Sequence, residues 1–314
     1  MKRRCDNYLC GYGVAVQPRP ILVLGSANLD LVVRVDRPPR PGETVFAQEF
    51  ATVPGGKGLN QAVACARAGG RVRFSGAVGR DGFGDRLLAR LDAEAIDATG
   101  VLRTDAPTGT AHITVDATGQ NTIIVASGAN AEVDASVLPA AREGVEWLLT
   151  QLEIPAATVA AALAWCRRTG VRSVLTPAPV SAFHPAILEL VDVLVLNGLE
   201  AAALSGDDDP AMAAGHLSRS ARDVVVTLGA EGSLWSSGGV VRHHEPALRV
   251  EAVDTTAAGD AYVGALVARL AEDATMPEAM RWASAAAAVA VTRPGATSSL
   301  PAWSEVEALL SSGR

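Results

Sequence analysis

The sequence predicts an α/β fold: a mostly parallel central sheet with helices on both faces, plus a small β-sheet lid. Two patterns predict the main sheet. Short apolar runs, typical of buried strands, lie at residues 21–24, 72–74, 147–149, 173–175, 191–196 and 224–226. Alanine-rich stretches, typical of helices, lie between them at residues 61–68, 83–95, 156–168, 182–190 and 211–218. Strands that alternate with helices predict parallel pairing, because a crossover between parallel strands usually contains a helix.

A third pattern predicts the lid. Residues 31–53 and 108–125 interrupt the alternation, and strand-like runs such as 112–115 and 122–125 have no helix between them. Gly119 lies in the polar stretch that joins these two runs, where it supplies a hairpin turn. We therefore expect a small antiparallel β-sheet inserted into the α/β unit.

The composition indicates a globular protein. The chain has 314 residues, of which 49% are apolar and 19% charged, which excludes a disordered chain, a collagen and a charged coiled coil. Residues 1–19 mix charge, glycine and proline without periodicity, so we expect a flexible tail there. Residues 20–314 form the predicted domain, with the lid contributed by about 31–53 and 108–125.

Charge and hydropathy exclude several classes of partner. A net charge of −7 leaves no basic footprint for nucleic acid over the whole chain. No apolar stretch approaches the roughly 18 to 20 residues of a membrane-spanning helix, and the basic N-terminus lacks the apolar region of a signal peptide. We expect a cytoplasmic protein without a membrane partner. Four cysteines are too sparse for a disulfide framework, and no further ligands accompany Cys5 and Cys10 to form a zinc site.

A turn of small residues is the strongest chemical signal. Ala257, Ala258 and Gly259 precede Asp260 and a helical run over residues 261–270. Free backbone N–H groups at such a helix start attract an anion, and small side chains let a phosphate approach closely. Asp260 is placed to take a proton from a hydroxyl beside that anion hole. The alternative is a plain N-cap at Asp260.

A second glycine-rich turn, over residues 55–61, also leads into a helix. Two such turns far apart in the chain favour a binding function over mere chain reversal. Neither turn has the spacing of a phosphate-binding P-loop, and no G-x-G-x-x-G motif links a strand to a helix. A dinucleotide-dependent dehydrogenase is therefore disfavoured.

These two turns resemble the two signatures of the ribokinase-like (phosphofructokinase-B type) carbohydrate kinases. The first signature matches residues 55–84 and the second matches residues 254–264, and the resemblance covers about residues 20–310. Further matching elements are Asn28-Leu29-Asp30, Gly128-Ala129-Asn130, Gln151-Leu152-Glu153 and Pro177-Ala178-Pro179. The resemblance implies a three-layer α/β/α sandwich with a β-lid, and ATP-dependent phosphorylation of D-ribose to D-ribose 5-phosphate.

The resemblance also implies which residues do the work. Asp260 is the expected catalytic base, and Ala257, Ala258 and Gly259 form the anion hole. The residues expected to bind the sugar are Asn28, Asp30, Gly56, Lys57, Gly58, Asn60, Glu153 and Asp260. Those expected to bind ATP are Asn197, Thr227, Leu228, Gly229, Ala230, Glu231, Gly232, Gly259, Asp260 and Ser284. Ser284 lies where many family members have Asn or His, a departure that bears on the contact with the adenosine.

Two cations complete the implied site. Glu200 is expected to hold Mg²⁺ through water near the triphosphate. The residues expected to enclose K⁺ are Asp254, Thr256, Ala290, Arg293, Gly295 and Ser299. Ordinary turns and caps remain alternatives: an Asx turn at Asn28 and Asp30, a capping box at Asn197 and Glu200, and a proline-glycine turn at Pro294.

The resemblance implies a homodimer formed through the lid. Alternatives of function remain open at this point: deoxyribose, fructose or adenosine as the acceptor, or a non-catalytic sugar-binding regulator. Retention of Asp260 together with the Gly259 turn argues against the regulator.

Overall fold

A nine-stranded sheet forms the centre of the computed structural model, which describes residues 19–138 and 144–312. The strands of the described residues are β1 (Ile21–Leu24), β2 (Asn28–Arg34), β3 (Glu49–Gly55), β4 (Val72–Gly79), β5 (Asp97–Thr104), β6 (Gly109–Val115), β7 (Asn121–Ala126), β8 (Trp147–Gln151), β9 (Arg172–Thr176), β10 (Val193–Asn197), β11 (Asp223–Thr227), β12 (Ser233–Ser237) and β13 (Val240–Glu245). The helices that lie wholly within those residues are α1 (Lys57–Arg67), α2 (Gly82–Ala93), α3 (Ala156–Thr169), α4 (Gly198–Ser205), α5 (Pro210–Leu217), α6 (Ala258–Leu270), α7 (Met276–Ala290) and α8 (Trp303–Ser311).

The large sheet has the order β13-β12-β11-β10-β9-β8-β1-β4-β5. Every pair from β11 to β5 is parallel, and β12 and β13 add an antiparallel edge. The carboxyl ends of the parallel strands therefore meet at one edge, which is where open α/β sheets bind ligands.

Two apolar layers cover the two faces of this sheet. Ile21 and Val23 pack into one cluster with residues of α1, α6 and α7, whereas Leu22 and Leu24 pack into the other with residues of α3 and α5. Successive residues of a strand point to opposite faces, so β1, buried on both sides, reads as a continuous apolar run. The predicted three-layer α/β/α arrangement is confirmed.

The small sheet has the order β3-β2-β6-β7 and is built largely from the two segments predicted to form the lid. The prediction that it is antiparallel is wrong for its central pair: β2 and β6 are parallel, because they come from two separate hairpin-like units, β2–β3 and β6–β7. The small sheet starts earlier than expected, at Asn28, which pairs with Gly55 on one side and with Gly109 on the other. Only three residues separate the end of β1, in the large sheet, from the start of β2, in the small sheet. The predicted sugar-binding residues Asn28 and Asp30 thus lie at the base of the small sheet.

Several local predictions need correction. The helix predicted over residues 182–190 is wrong: two 3₁₀ turns, Val180–Ala182 and Pro185–Leu190, occupy that segment. Pro185 holds His184 in an extended conformation, which a continuous helix does not allow. The strand β5 and the β12–β13 hairpin were not predicted. The hairpin turns at Gly238 and Gly239, both with positive φ, and this pair was the available signal.

The tail predicted over residues 1–19 lies outside the described residues, except for its last member. Arg19 donates to Glu146 and to Asp273, each at 2.7 Å, so this position is tied to the domain. Within residues 19–138 and 144–312, no helix has the length and hydropathy needed to cross a membrane.

Candidate active site

The start of α6 presents backbone donors to an open space. Ala257 adopts a left-handed conformation with φ of 59°, and no side chain caps the helix. A Cβ added at Gly259 would meet no atom within 4 Å, so the space in front of this residue is free. The uncapped N–H groups and the positive end of the helix dipole favour an anion there.

Asp260 follows this turn and is buried. Its carboxylate accepts hydrogen bonds from Asn60 Nδ2 at 3.1 Å and from Gln61 Nε2 at 3.0 Å. Burial raises the pKa of Asp260 above its ordinary value, although Lys57 and the two amides oppose that rise. A carboxylate with a raised pKa is a better proton acceptor than an exposed one.

Three acidic side chains, Asp30, Glu153 and Asp260, lie close enough at the base of the small sheet for their charges to interact, and we call this cluster the polar pocket. Asp30 is 8% exposed, and its Oδ1 is a buried oxygen without a partner among the described residues. Burial, with the neighbouring charges of Glu153 and Asp260, raises the pKa of Asp30 to about 7. Gly55 leaves room for this carboxylate, since a Cβ there would collide with it. An orphaned acceptor in a polar pocket is suited to a ligand that brings its own hydroxyl donors.

Two hydrogen bonds hold Glu153 in place. Its Oε2 accepts from Ser26 Oγ at 2.6 Å and from the backbone N–H of Lys57 at 3.0 Å. The Lys57 side chain is half-buried, and burial lowers its pKa. The negative charges of Asp260, Glu153 and Glu200 outweigh this effect, so the pKa of Lys57 lies above its ordinary value. Lys57 therefore stays charged and offsets part of the negative charge of the pocket.

A cleft of about 660 Å³ opens on the other side of the α6 start. Most of the residues predicted to bind ATP line it: Thr227, Gly229, Ala230, Gly232, Gly259 and Ser284. Four predicted residues do not line it, one of which is Asp260, buried in the first turn of α6. Leu228 packs against the core, Glu231 is exposed, and Asn197 caps α4. Among the lining residues that the sequence analysis missed are Leu248, Arg249, Val250 and Tyr262.

Asn197 and Glu200 form a reciprocal capping box. Asn197 Oδ1 accepts from the Glu200 N–H at 2.8 Å, and Glu200 Oε2 accepts from the Asn197 N–H at 2.9 Å. The capping alternative is therefore correct for the geometry of this pair. Glu200 still acts electrostatically on Lys57, so the cap lies within range of the site.

The loop predicted to enclose a monovalent cation is joined to Asp254. Its Oδ1 accepts from the Thr256 N–H and its Oδ2 from the Gly295 N–H, each at 2.9 Å. Although burial opposes it, these donors hold the pKa of Asp254 below its ordinary value. Ser299 Oγ donates to the Ala296 carbonyl at 2.9 Å, which leaves its lone pairs free. This oxygen-rich set of one carboxylate, a hydroxyl and backbone carbonyls fits a hard cation of low charge.

No group of three or more His, Cys, Asp or Glu side chains in the described ranges has the arrangement of a metal site. A divalent ion would therefore take its remaining ligands from phosphates and water, which is how Mg²⁺ is usually held beside a nucleotide.

Three residues near the site were quoted in the matching motifs but given no role. Asn130 holds Asn28, while Gln61 and Gln151 form a hydrogen-bonded pair beside Asp260. Ser26, which no quoted motif contains, donates a hydrogen bond to Glu153. The signal for Gln61 and Gln151 was their place beside residues already predicted to bind substrate.

Comparison with known proteins gives matches over nearly the whole chain. The model of the pfkB family carbohydrate kinases matches residues 19–303. A ribokinase of Haemophilus influenzae is 37% identical over 297 residues, which cover 91% of this chain and 97% of that protein.

Solved structures match equally well. The ribokinase of Thermotoga maritima is 40% identical with a TM-score of 0.86, and the match covers 93% of this chain and 99% of that one. The ribokinase of Arabidopsis thaliana, solved in complex with ribose and ATP, is 30% identical with a TM-score of 0.86 and covers 93% of this chain and 98% of its own.

Proposed function

This chain belongs to the pfkB family of carbohydrate kinases, and on that premise we propose that it transfers the γ-phosphoryl group of ATP to the primary hydroxyl of D-ribose. One observation carries the proposal. The buried carboxylate of Asp260 interacts with the charges of Asp30 and Glu153, and it directly follows Gly259, which lines the open cleft. A base between an acceptor pocket and an anion turn is the arrangement that phosphoryl transfer to an alcohol requires.

The sugar is proposed to bind in the pocket on the side of the small sheet. Asp30 and Glu153 accept hydrogen bonds from its ring hydroxyls, and Asn28, Lys57 and Asn60 complete the polar lining together with the backbone of Gly56 and Gly58. A Cβ at Gly58 would collide with the backbone of Ser26, so this turn packs tightly and leaves little freedom to its N–H groups. A fixed array of donors and acceptors suits a polyol, because each unmatched hydroxyl costs binding energy.

The proposed reaction is an in-line displacement. The primary hydroxyl oxygen of ribose attacks the γ-phosphorus, the bond from that phosphorus to the bridging oxygen breaks, and ADP leaves. The hydroxyl proton passes to Asp260. The N–H groups of Ala257, Ala258 and Gly259 stabilise the charge of the transferring group, in the manner of other preorganised anion holes.

The nucleotide is proposed to lie in the cleft of about 660 Å³. Its phosphates reach the start of α6, and its base lies toward Ser284, Ala287 and Ala288 on α7. Mg²⁺, held by the phosphates with Glu200 acting through water, would neutralise charge on the triphosphate. K⁺, held by Asp254 and Ser299 with the carbonyls of Thr256, Ala290, Arg293 and Gly295, would fix the loop that precedes the anion turn.

The small sheet is proposed to close over the sugar and to form a contact with a second copy of the chain. Its outer strand β7 is exposed throughout, and Ile123, Ile124 and Val125 are apolar side chains on that strand. Phe50, on the opposite edge strand β3, and Phe46, which precedes that strand, are also exposed. Sedimentation of the protein should detect a dimer that Ile124→Glu disrupts, whereas Met212→Glu on α5 leaves the mass unchanged.

A coupled assay of ADP release tests the catalytic proposal. The panel contains ribose, 2-deoxyribose, fructose and adenosine, and the Asp260→Asn variant supplies the background. Ribose should give the highest kcat/KM. A faster rate with fructose or adenosine would support kinase activity but contradict ribose as the acceptor. Ribose binding detected by calorimetry without ADP release would indicate a sugar-binding regulator.

A further inference from the structure

Two glutamines connect the Asp260 carboxylate to the interior of the large sheet. Gln61 Nε2 donates to Asp260 Oδ1 at 3.0 Å and also lies 3.2 Å from Thr176 Oγ1. Gln151 Nε2 donates to Gln61 Oε1 at 2.6 Å. Both glutamines are almost completely buried, and they come from different elements, α1 and β8.

The direction of these hydrogen bonds follows from the carboxylate. An ionised Asp260 only accepts, so the nitrogen of Gln61 has to face it. The oxygen of Gln61 then faces Gln151, which must supply its own nitrogen. Gln151 Oε1 is consequently left without a partner in the described part of the chain. A buried acceptor without a partner is destabilising, so this orientation of the two amides lowers the stability of the fold.

We propose that Gln61, held in register by Gln151 and Thr176, is a positioning residue that fixes the ionised Asp260 carboxylate in the orientation needed to accept the substrate proton. The inference deepens the proposed function and rests on it. Asn60 donates to the other oxygen, Oδ2, at 3.1 Å, so the carboxylate is held at both ends. Among the described residues, the hydrogen-bond partners of the Gln61 side chain are Asp260, Thr176 and Gln151, and of these only Asp260 belongs to the proposed sugar and nucleotide sites.

The charged groups around Asp260 have to be separated from this effect. Lys57 on α1 favours the ionised form of Asp260, and the charge of Glu153, after β8, disfavours it. The charge of Asp260 in turn disfavours ionisation of Asp30 on β2. None of these changes when Gln61 is replaced by Leu, a neutral side chain of similar size. Loss of the Gln61 donor should therefore raise the pKa of Asp260 by the contribution of one hydrogen bond.

The test compares Gln61→Leu with the wild type on the best acceptor of the panel. We expect kcat to fall about tenfold or more, while the KM values of acceptor and ATP change less than about twofold. The acid limb of the kcat profile should move to higher pH by about half a unit or more. Val63→Ala, a fully buried change on the same helix, should lower stability without moving the pH profile.

A second variant covers the case in which Gln61→Leu does not fold. Gln151→Met leaves the Gln61–Asp260 contact in place but removes the donor that orients Gln61. It should move the acid limb in the same direction, and the double variant should match Gln61→Leu alone. Additive losses with an unchanged pH profile would overturn the proposal.

A readout without turnover separates this inference from the proposed function. The carboxyl carbon of Asp260, assigned by ¹³C NMR from its absence in Asp260→Asn, should titrate at higher pH in Gln61→Leu than in the wild type. An unmoved titration would refute the role of Gln61 even if ribose is the acceptor. A shifted titration of Asp260 would support the role of Gln61 even if ribose is not the acceptor.

Discussion

Asn130 donates a hydrogen bond from Nδ2 to Asn28 Oδ1 at 2.7 Å, and this contact fixes what Asn28 offers to a ligand. The Asn130 oxygen accepts from the Ala27 N–H at 2.9 Å, so its nitrogen has to face Asn28. The Asn28 oxygen is thereby occupied, and its nitrogen has no hydrogen-bond partner among residues 19–138 and 144–312. Asn28 therefore presents a donor two residues before the acceptor Asp30 on the same strand.

This polarity predicts the effect of Asn28→Asp. The variant keeps the oxygen that accepts from Asn130 but replaces the free donor with an acceptor and adds a negative charge. We expect the KM of ribose to rise at least about tenfold and the KM of ATP to stay within about twofold. Asn121→Asp on the exposed strand β7 is the matched control. An unchanged KM of ribose would mean that Asn28 does not contact the sugar.

Asp260→Asn tests the proposed base. The amide has the size of the carboxylate and removes no cap, since no side chain caps α6, but its NH₂ group has to face the donor of Asn60 or Gln61, so thermal unfolding is measured alongside activity. The amide cannot accept a proton, and we expect kcat to drop about 10²- to 10⁴-fold. Steady-state kinetics of this variant can be compared with Asp208→Asn, which alters an exposed carboxylate. A kcat within fivefold of the wild type would rule out the assignment.

Asp30 should make the folded protein less stable as the pH rises. Its pKa of about 7 in the folded protein lies above the ordinary value of 3.8, so the folded state holds this proton more tightly than the unfolded chain does. This contribution to stability is therefore lost progressively between about pH 4 and pH 7 and changes little above that range.

Thermal unfolding of Asp30→Asn provides the measurement. Removing the buried charge should raise Tm, and by more at pH 8 than at pH 5, because Asp30 is ionised in the folded protein only at the higher pH. Asp105→Asn, which changes a fully exposed side chain, should give the same small effect at both values. A larger gain at pH 5 would contradict the raised pKa.

The sequence predicted the main sheet because strands buried on both faces, such as β1, are continuous apolar runs bounded by glycine or polar residues. It predicted Asp260 because a turn of small residues precedes it, and Asp30 because the element Asn28-Leu29-Asp30 follows the first strand and resembles that of the carbohydrate kinases. The partners Gln61 and Asn130 received no role, since an amide that bonds across about 100 to 200 residues leaves no local pattern. Strand β5, at the half-buried edge of the large sheet, was not predicted for a similar reason: its residues mix polar and apolar types without alternation.

Asp254 should make the activity depend on the monovalent cation. Its lowered pKa keeps the carboxylate charged throughout the working range, and only two residues separate Asp254 from the anion turn that begins at Ala257. Replacing K⁺ with tetramethylammonium at constant ionic strength should lower kcat at least about fivefold, because the loop before Ala257 loses its central charge. Asp254→Ala should be slow in both salts. Equal rates of the wild type in K⁺, Na⁺ and tetramethylammonium would exclude the site.

The nucleotide cleft should discriminate weakly between purine bases. The wall provided by α7 consists of Ser284, Ala287 and Ala288, and its backbone groups are already used by the helix. One short hydroxyl and two methyl groups can form few hydrogen bonds with the edge of a base. An apolar pocket rejects an isosteric ligand by only about 10²-fold at most.

GTP should therefore support phosphorylation with a kcat/KM within about tenfold of that for ATP. Ser284→Asn, which adds an amide to this wall, should change the ratio of ATP to GTP while the KM of the sugar stays constant. The ratio is measured with both donors at saturating sugar. A wild-type preference for ATP above about 10³-fold would be more than a wall of this kind can supply. In that case the base would have to be read by the backbone of residues 247–250, which form the facing wall of the cleft.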